Sequence, residues 1–332
     1  MMEEEQGQGQ QTLADSVGWS GLGRPLGRDV QTSRDAMDRS GLTWHIGMME
    51  VRASQPGVDY TVEFPAHRAL IRVDTQSPIA IVGENYRVIQ PQEGFSMLDS
   101  LVDGQDMRYE LAFESDGGRR ICILAQIPGT HGWDGDEIVP GDISRRYIAW
   151  MNESSGRASM AAFGTSIRLN CWNLRNIAIA ANKKSGIPVI RVRHTGDIGD
   201  KIDEARKALL AITQKFNDQL ILSRKLADIN FTIGDYEKYL GKVIVLKPDA
   251  TPAQKRGVER IRSEVALRYI HGENNNLPGI SGTAWSALNA VTEWADHGRR
   301  FKSVDRKFHD AMFGRSAQIK ARAWDEAIEI LN

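Results

Sequence analysis

At Thr195 the hydrophobic period of this chain changes, and that change limits the available folds more than any other feature. Upstream, short runs alternate apolar and polar residues, as half-buried strands do. Downstream, Ile198, Ile202, Ala205, Leu209, Ile212, Phe216 and Leu220 recur every third or fourth position, as on a helix that buries one stripe. A chain ordered this way predicts the α+β class: a mainly antiparallel, twisted sheet with packed helices, followed by a C-terminal helical domain. The expected divisions are a disordered tail over 1–16, a sheet domain over 17–195 and a helical domain over 196–332.

Within the first part, the segments around Trp44–Met48, Leu70–Val73 and Ile79–Val82 read as strands, and a helix is predicted from Pro91 to Val102. Met107, Tyr109, Leu111 and Phe113 pair naturally with Ile121, Ile123, Ala125 and Ile127 across the Asp116-Gly117-Gly118 turn, because glycine accepts the positive φ of a tight hairpin. A second hairpin is expected from Tyr147–Met151 and Ala158–Phe163. Ile167, Cys171, Leu174, Ile177 and Ala181 then fit one helical stripe, ended by Gly186 and Pro188, before a last strand at Val189–Arg193. In the second part Thr251-Pro252 marks a helix start, and further helices are predicted at Trp285–His297 and near Ala317–Leu331. Trp19 to Gly27 is glycine-spaced but follows no strand, so an ordered turn anchored by Trp19 is favoured over a phosphate loop.

Several function classes are disfavoured. No apolar run approaches the ~18 residues that a membrane-spanning helix needs, so no membrane partner is expected. Met1 to Gln11 is rich in Glu and Gln and lacks the apolar core of a signal peptide, which predicts a cytoplasmic protein of a bacterial host. The 2 cysteines, Cys122 and Cys171, match no zinc spacing and read as buried, reduced thiols; no metal or cofactor is expected. The P-loop, nucleophile-elbow and His-Glu-x-x-His motifs do not occur.

Charge is the strongest pointer to function. The net charge is -1, yet between Ser144 and Arg193 nine Lys and Arg residues face a single acid, Glu153. Solvated faces ordinarily mix signs, so this window predicts a polyanion ligand, with nucleic acid first and single-stranded DNA favoured. Arg168, Arg175, Lys183, Arg191 and Arg193 are the candidate phosphate contacts, Trp172 a candidate stacking platform, and Asn170 and Asn173 candidate hydrogen-bonding partners of backbone or base. A competing possibility is a nucleotide- or nucleic-acid-processing enzyme using Glu293 and His297, which share one side of a helix at i and i+4. A third is a scaffold that binds a helical partner, or a second copy of itself, along the Ile198–Leu220 seam.

A set of short motifs carries a resemblance. Trp19-Ser20-Gly21-Leu22-Gly23, Glu84-Asn85-Tyr86-Arg87-Val88-Ile89-Gln90, Gly118-Arg119-Arg120, Ile167 to Asn173, Arg193-His194-Thr195, Gly282-Thr283-Ala284-Trp285 and Asn289 to His297 occur in order. Together they resemble the uncharacterised phage/plasmid-like protein family. The resemblance implies residence on a mobile genetic element and a place in DNA metabolism, beside replication or recombination genes; annealing of single strands is suggested only by analogy with the architecture of a basic sheet beside a helix. It transfers no catalytic residue. Ser20 and Arg24 stand where the family pattern has histidine and threonine.

Overall fold

In the computed structural model, residues 16, 19–27, 29–101, 107–156, 160–171, 173–176, 190–192 and 199–331 are described. The elements of the first part are β1 (Arg24–Pro25), α1 (Ser33–Ser40), β2 (Ile46–Ala53), β3 (Val62–Arg72), β4 (Ser77–Gly83), α2 (Pro91–Leu101), β5 (Arg108–Ser115), β6 (Arg120–Ile127), β7 (Asp136–Glu137), β8 (Ile143–Glu153), β9 (Met160–Arg168), β10 (Asn173–Asn176) and β11 (Ile190–Val192). The helices α3 (Gly199–Ala227), α4 (Ile233–Val243), α5 (Pro252–His271), α6 (Ala284–His297), α7 (Val304–Phe313) and α8 (Arg315–Ile328) follow. This is the α+β arrangement that the period change predicts, antiparallel throughout its described pairs.

The larger sheet runs β1-β5-β6-β8-β9-β10, with β7 beside β8 and β11 beside β9. Its central strands are buried on both faces, which is why β6, β8 and β9 are longer in apolar residues than a half-exposed strand requires. On one face α2 and α3 cover it: Trp150 lies under Gly94 of α2, and Ile212 and Phe216 of α3 lie over Gly164. On the other face Phe308 of α7 meets Phe113 edge-on, Phe313 meets Phe163, and Trp19 closes against Phe308. Residues far along the chain therefore complete the sheet's core, so α3 and α7 belong with the strands in packing terms.

The expected helix from Ile167 to Ala181 is not present in its described part. Ile167 and Arg168 end β9, the chain turns through Leu169 to Cys171, and Asn173 to Asn176 return as β10, with Ile167 opposite Leu174. Apolar residues at 167, 171 and 174 suit either geometry; pairing with the open edge of β9 satisfies more backbone groups at once. Residues 177–181 lie outside the described residues.

The smaller sheet, β2-β3-β4, packs one face onto the larger through Ile46, Leu70, Ile79 and Val82. Gln90 anchors its edge: Ile46 N–H donates to Gln90 Oε1 at 2.8 Å, and Gln90 Nε2 donates to Ile46 C=O at 3.0 Å. The helical half has its own core around α6, where Trp285, Leu288, Val291 and Trp294 are buried among α4, α5 and α8. Thr232 and Thr251 begin α4 and α5 with capping boxes. Of the Ile198–Leu220 seam, Ile212, Phe216 and Leu220 are buried against this chain's own cores, so these three residues are not available to a helical partner. Ile198 lies outside the described residues. Among the described residues no helix is long and apolar enough to cross a membrane, and no group of three or more His, Cys, Asp or Glu residues could hold a metal ion.

Candidate functional site

Arg168 ends β9 at the junction between sheet and helices, and its surroundings decide what it can do. Only 4% of the side chain is exposed. Nε donates to Asp142 Oδ1 at 2.5 Å, Nη2 to Asn274 C=O at 2.7 Å, and Nη1 to Asn275 Oδ1 at 3.3 Å and Cys171 Sγ at 3.4 Å. Asp142 is fully buried, and its other oxygen accepts from Trp285 Nε1 at 2.7 Å. A guanidinium held by this many acceptors offers no donor to a phosphate, so Arg168 is a structural cation rather than a backbone contact. Burial pushes the Cys171 thiol up to about 11 even with Arg168 opposing it, which leaves it neutral and unreactive near pH 7.

The neighbouring candidates are used in similar ways. Asn173 is buried and donates through Nδ2 to Thr292 Oγ1 at 3.0 Å, joining β10 to α6. Asn170 is partly exposed, with Nδ2 donating to Gly141 C=O at 3.3 Å. Arg146 is buried in a bidentate pair with Asp136, at 2.5 and 2.7 Å, and Arg145 is buried too. Register sets Arg175 opposite Ser166 and Arg191 opposite Ala161, five positions apart on β9. Trp172, Lys183 and Arg193 lie outside the described residues. Of the nine cations in the basic window, Arg145, Arg146 and Arg168 are therefore buried, and two of these, Arg146 and Arg168, pair with carboxylates that lie upstream of the window.

Glu293 and His297 sit one turn apart on α6 but serve different contacts. Glu293 Oε2 accepts from Asn275 Nδ2 at 2.9 Å, and Arg268 lies 3.9 Å from Oε1. Burial raises the Glu293 pKa, with Arg268 and Asn275 opposing the rise. His297 Nδ1 lies 3.2 Å from Lys307 Nζ, and its ring meets Trp19 edge-on. Glu293 therefore belongs to the junction that also holds Arg168, while His297 belongs to the contact between the N-terminal Trp19 segment and α7.

A separate arrangement of cations does form a concave surface. The β5–β6 turn passes through Asp116, Gly117 and Gly118, all at positive φ, and a Cβ on Gly118 would stand 2.7 Å from the Trp44 ring. Only glycine serves there, and the turn it makes sets Arg119 and Arg120 side by side at the end of the hairpin. Arg119 donates twice to Ile79 C=O, at 3.1 and 2.9 Å. Arg120 bonds to Asp116 and to Glu153. From the other wall α7 brings Arg306 and, one turn later, His309, closing a cleft of about 440 Å³ lined by Asp116, Arg119, Arg120, Arg306 and His309. Three guanidinium groups thus line the cleft, Arg119 bonded to a backbone carbonyl, Arg120 paired with Asp116 and Glu153, and Arg306 exposed on α7. Burial and the nearby Arg120 lower the His309 pKa, so the imidazole is neutral near pH 7. Arg300 and Lys302, both exposed, lie on the connection that leads into α7.

Sequence reasoning missed this cleft. Arg119 and Arg120 appeared only as motif residues, and the signal that could have found it is the run Arg299, Arg300, Lys302, Arg306 and Lys307, broken by one acid, Asp305.

The sequence profile of a domain of unknown function (DUF932) matches residues 78–315, a segment that contains the cleft, the Arg168 junction and both α6 candidates. No curated protein and no solved structure matches the chain.

Proposed function

Since the chain belongs to the family defined by this domain of unknown function (DUF932), which brings no activity with it, we propose from its own residues that it is a nucleic-acid-binding protein. Single-stranded DNA is its preferred ligand, and a phage- or plasmid-like mobile element, in replication or recombination, is its setting. The observation that carries this proposal is the cleft between the β5–β6 turn and α7. Arginine is the side chain best matched to phosphate, since its planar fork offers paired donors and keeps its charge. A concave site of this size suits one phosphodiester with its sugar, whereas duplex backbone presents a broad convex surface. Arg300 and Lys302 extend the cationic surface along the approach to α7. The mobile-element setting rests on the motif resemblance alone.

The test is fluorescence anisotropy with labelled single- and double-stranded oligonucleotides over a salt series. Binding that weakens steeply with salt, favours single strands, and is lost in Arg119→Glu with Arg306→Glu supports the proposal. Arg191→Glu with Arg193→Glu tests the basic window separately: a comparable loss of salt-sensitive binding in that variant assigns phosphate contacts to these two residues as well. No binding of either strand form at low salt overturns it.

A further inference from the structure

Helices α3 and α8 each pack against α6, and a groove of about 360 Å³ stays open between them. Lys215, Asp218, Gln219 and Leu222 recur at three- and four-residue spacing, so they share the side of α3 that forms one wall. Trp324, Asp325 and Ile328 of α8, with Glu329 just beyond it, form the other.

Gln219 is the feature that packing between helices does not explain. Only 6% of the residue is exposed, yet its Oε1 is buried and accepts no hydrogen bond. A buried acceptor without a donor is costly, and a finished interface seldom leaves one. Rotation about the last side-chain torsion exchanges the two ends of the amide, so this group in the groove wall serves a ligand N–H as its acceptor.

Charge narrows the choice of ligand. Three carboxylates line the groove, Asp218 from one wall and Asp325 and Glu329 from the other, against one cation, Lys215, which lies 3.6 Å from Asp218. An anion is repelled by such a lining. The carboxylates do not gather into a metal site either, since among the described residues no group of three or more His, Cys, Asp or Glu could hold a metal ion. A single amine answers one wall and leaves the other. Negative charge on both sides of the apolar surface given by Leu222, Trp324 and Ile328 calls for several positive charges spaced by methylenes, and an indole face adds its own attraction for a cation.

We propose that the groove between α3 and α8 binds an aliphatic polyamine. Its ammonium groups pair with Asp218 on one wall and with Asp325 and Glu329 on the other, its methylenes lie on Leu222, Trp324 and Ile328, and one N–H reaches the Gln219 amide. No residue lines both this groove and the arginine cleft, so the proposal is independent of nucleic-acid binding.

The test is isothermal titration calorimetry of the full chain with spermidine at low salt. The wild type is expected to show a single saturable site. Asp218→Asn with Asp325→Asn is expected to weaken it about tenfold or more, as loss of charge-assisted hydrogen bonds does, while Glu237→Gln, an exposed acid of α4 outside the groove, leaves it unchanged. Gln219→Leu separates binding from folding: affinity is expected to fall while the Tm of the ligand-free protein does not, because the substitution removes an unsatisfied buried acceptor. Should the double variant fold poorly, Gln219→Leu carries the test alone. Absence of saturable binding by the wild type overturns the proposal. So does wild-type affinity in the folded double variant or in Gln219→Leu, or a titration with magnesium chloride that reproduces the spermidine heats, which marks general attraction to an acidic surface.

Discussion

Trp285 and Arg168 hold opposite oxygens of one buried carboxylate. The indole Nε1 donates to Asp142 Oδ2 at 2.7 Å and the guanidinium Nε to Oδ1 at 2.5 Å, so helix α6 and strand β9 are tied through a single side chain. Removing one partner of a buried, hydrogen-bonded pair leaves the other charge stranded in low dielectric. Asp142→Ala is therefore expected to lower stability by about 3 to 5 kcal/mol. Urea denaturation would measure it, and a midpoint equal to that of the wild type would show that the junction is not held by this carboxylate.

A steric prediction concerns Gly164 in β9. A Cβ there would stand 2.7 Å from Ile212 Cγ2 and 3.0 Å from Phe216 Cζ, so even a methyl group forces α3 away from the sheet. Gly164→Ala is expected to cost about 1 to 3 kcal/mol, the usual range for overpacking. Thermal melting of the variant is the check; an unchanged Tm would mean that α3 yields freely.

The cleft should respond to pH through His309. Its pKa is lowered, first by burial and then by Arg120, with Glu153, Asp310 and Asp116 pulling weakly the other way. A histidine with a depressed folded-state pKa favours the folded state fully above its ordinary value near 6.5, and this contribution fades as pH falls toward the lowered value. In the same window protonation adds a cation to the lining, so affinity for an anionic oligonucleotide is expected to rise as stability declines. His309→Gln should flatten the histidine part of both trends. Anisotropy and melting curves taken between pH 5 and 8 in ~0.5 steps would show it, since this is where histidine titrates.

Both thiols are buried, and burial raises both pKa values. Neither Cys122 nor Cys171 is expected to react with a thiol reagent such as Ellman's in the folded protein, and both should react after unfolding in denaturant. Rapid labelling of one equivalent under native conditions would contradict the packing at β6 or at the β9–β10 turn.

Alternation and period change made most of the fold legible in advance. β5, β6, β8 and β9 follow from their apolar alternation and turn glycines, α5 follows from its capping Thr251 and its apolar positions, and α6 from its apolar positions. The β10 segment was misread because residues 167, 171 and 174 satisfy a helical stripe and a turned hairpin equally well; the choice is made by the edge of β9, a tertiary fact. The site was less legible for a related reason. Counting charges in a window treats every arginine as exposed, but Arg168 and Arg146 lie next to Asp142 and Asp136, which come from a loop and a two-residue strand before the window begins. Conversely, Arg119 and Arg306 stand far apart in sequence and share a cleft only because α7 returns to the sheet.

That return has a practical consequence. Phe308 and Met312 sit in the same apolar core as the strands, and Trp19 is wedged between Phe308 and His297. The two extremities of the folded chain therefore act as a clasp. A fragment cut at 195 to isolate the strands would strip away the lid over its own hydrophobic interior, and would more readily precipitate than report on the parent protein.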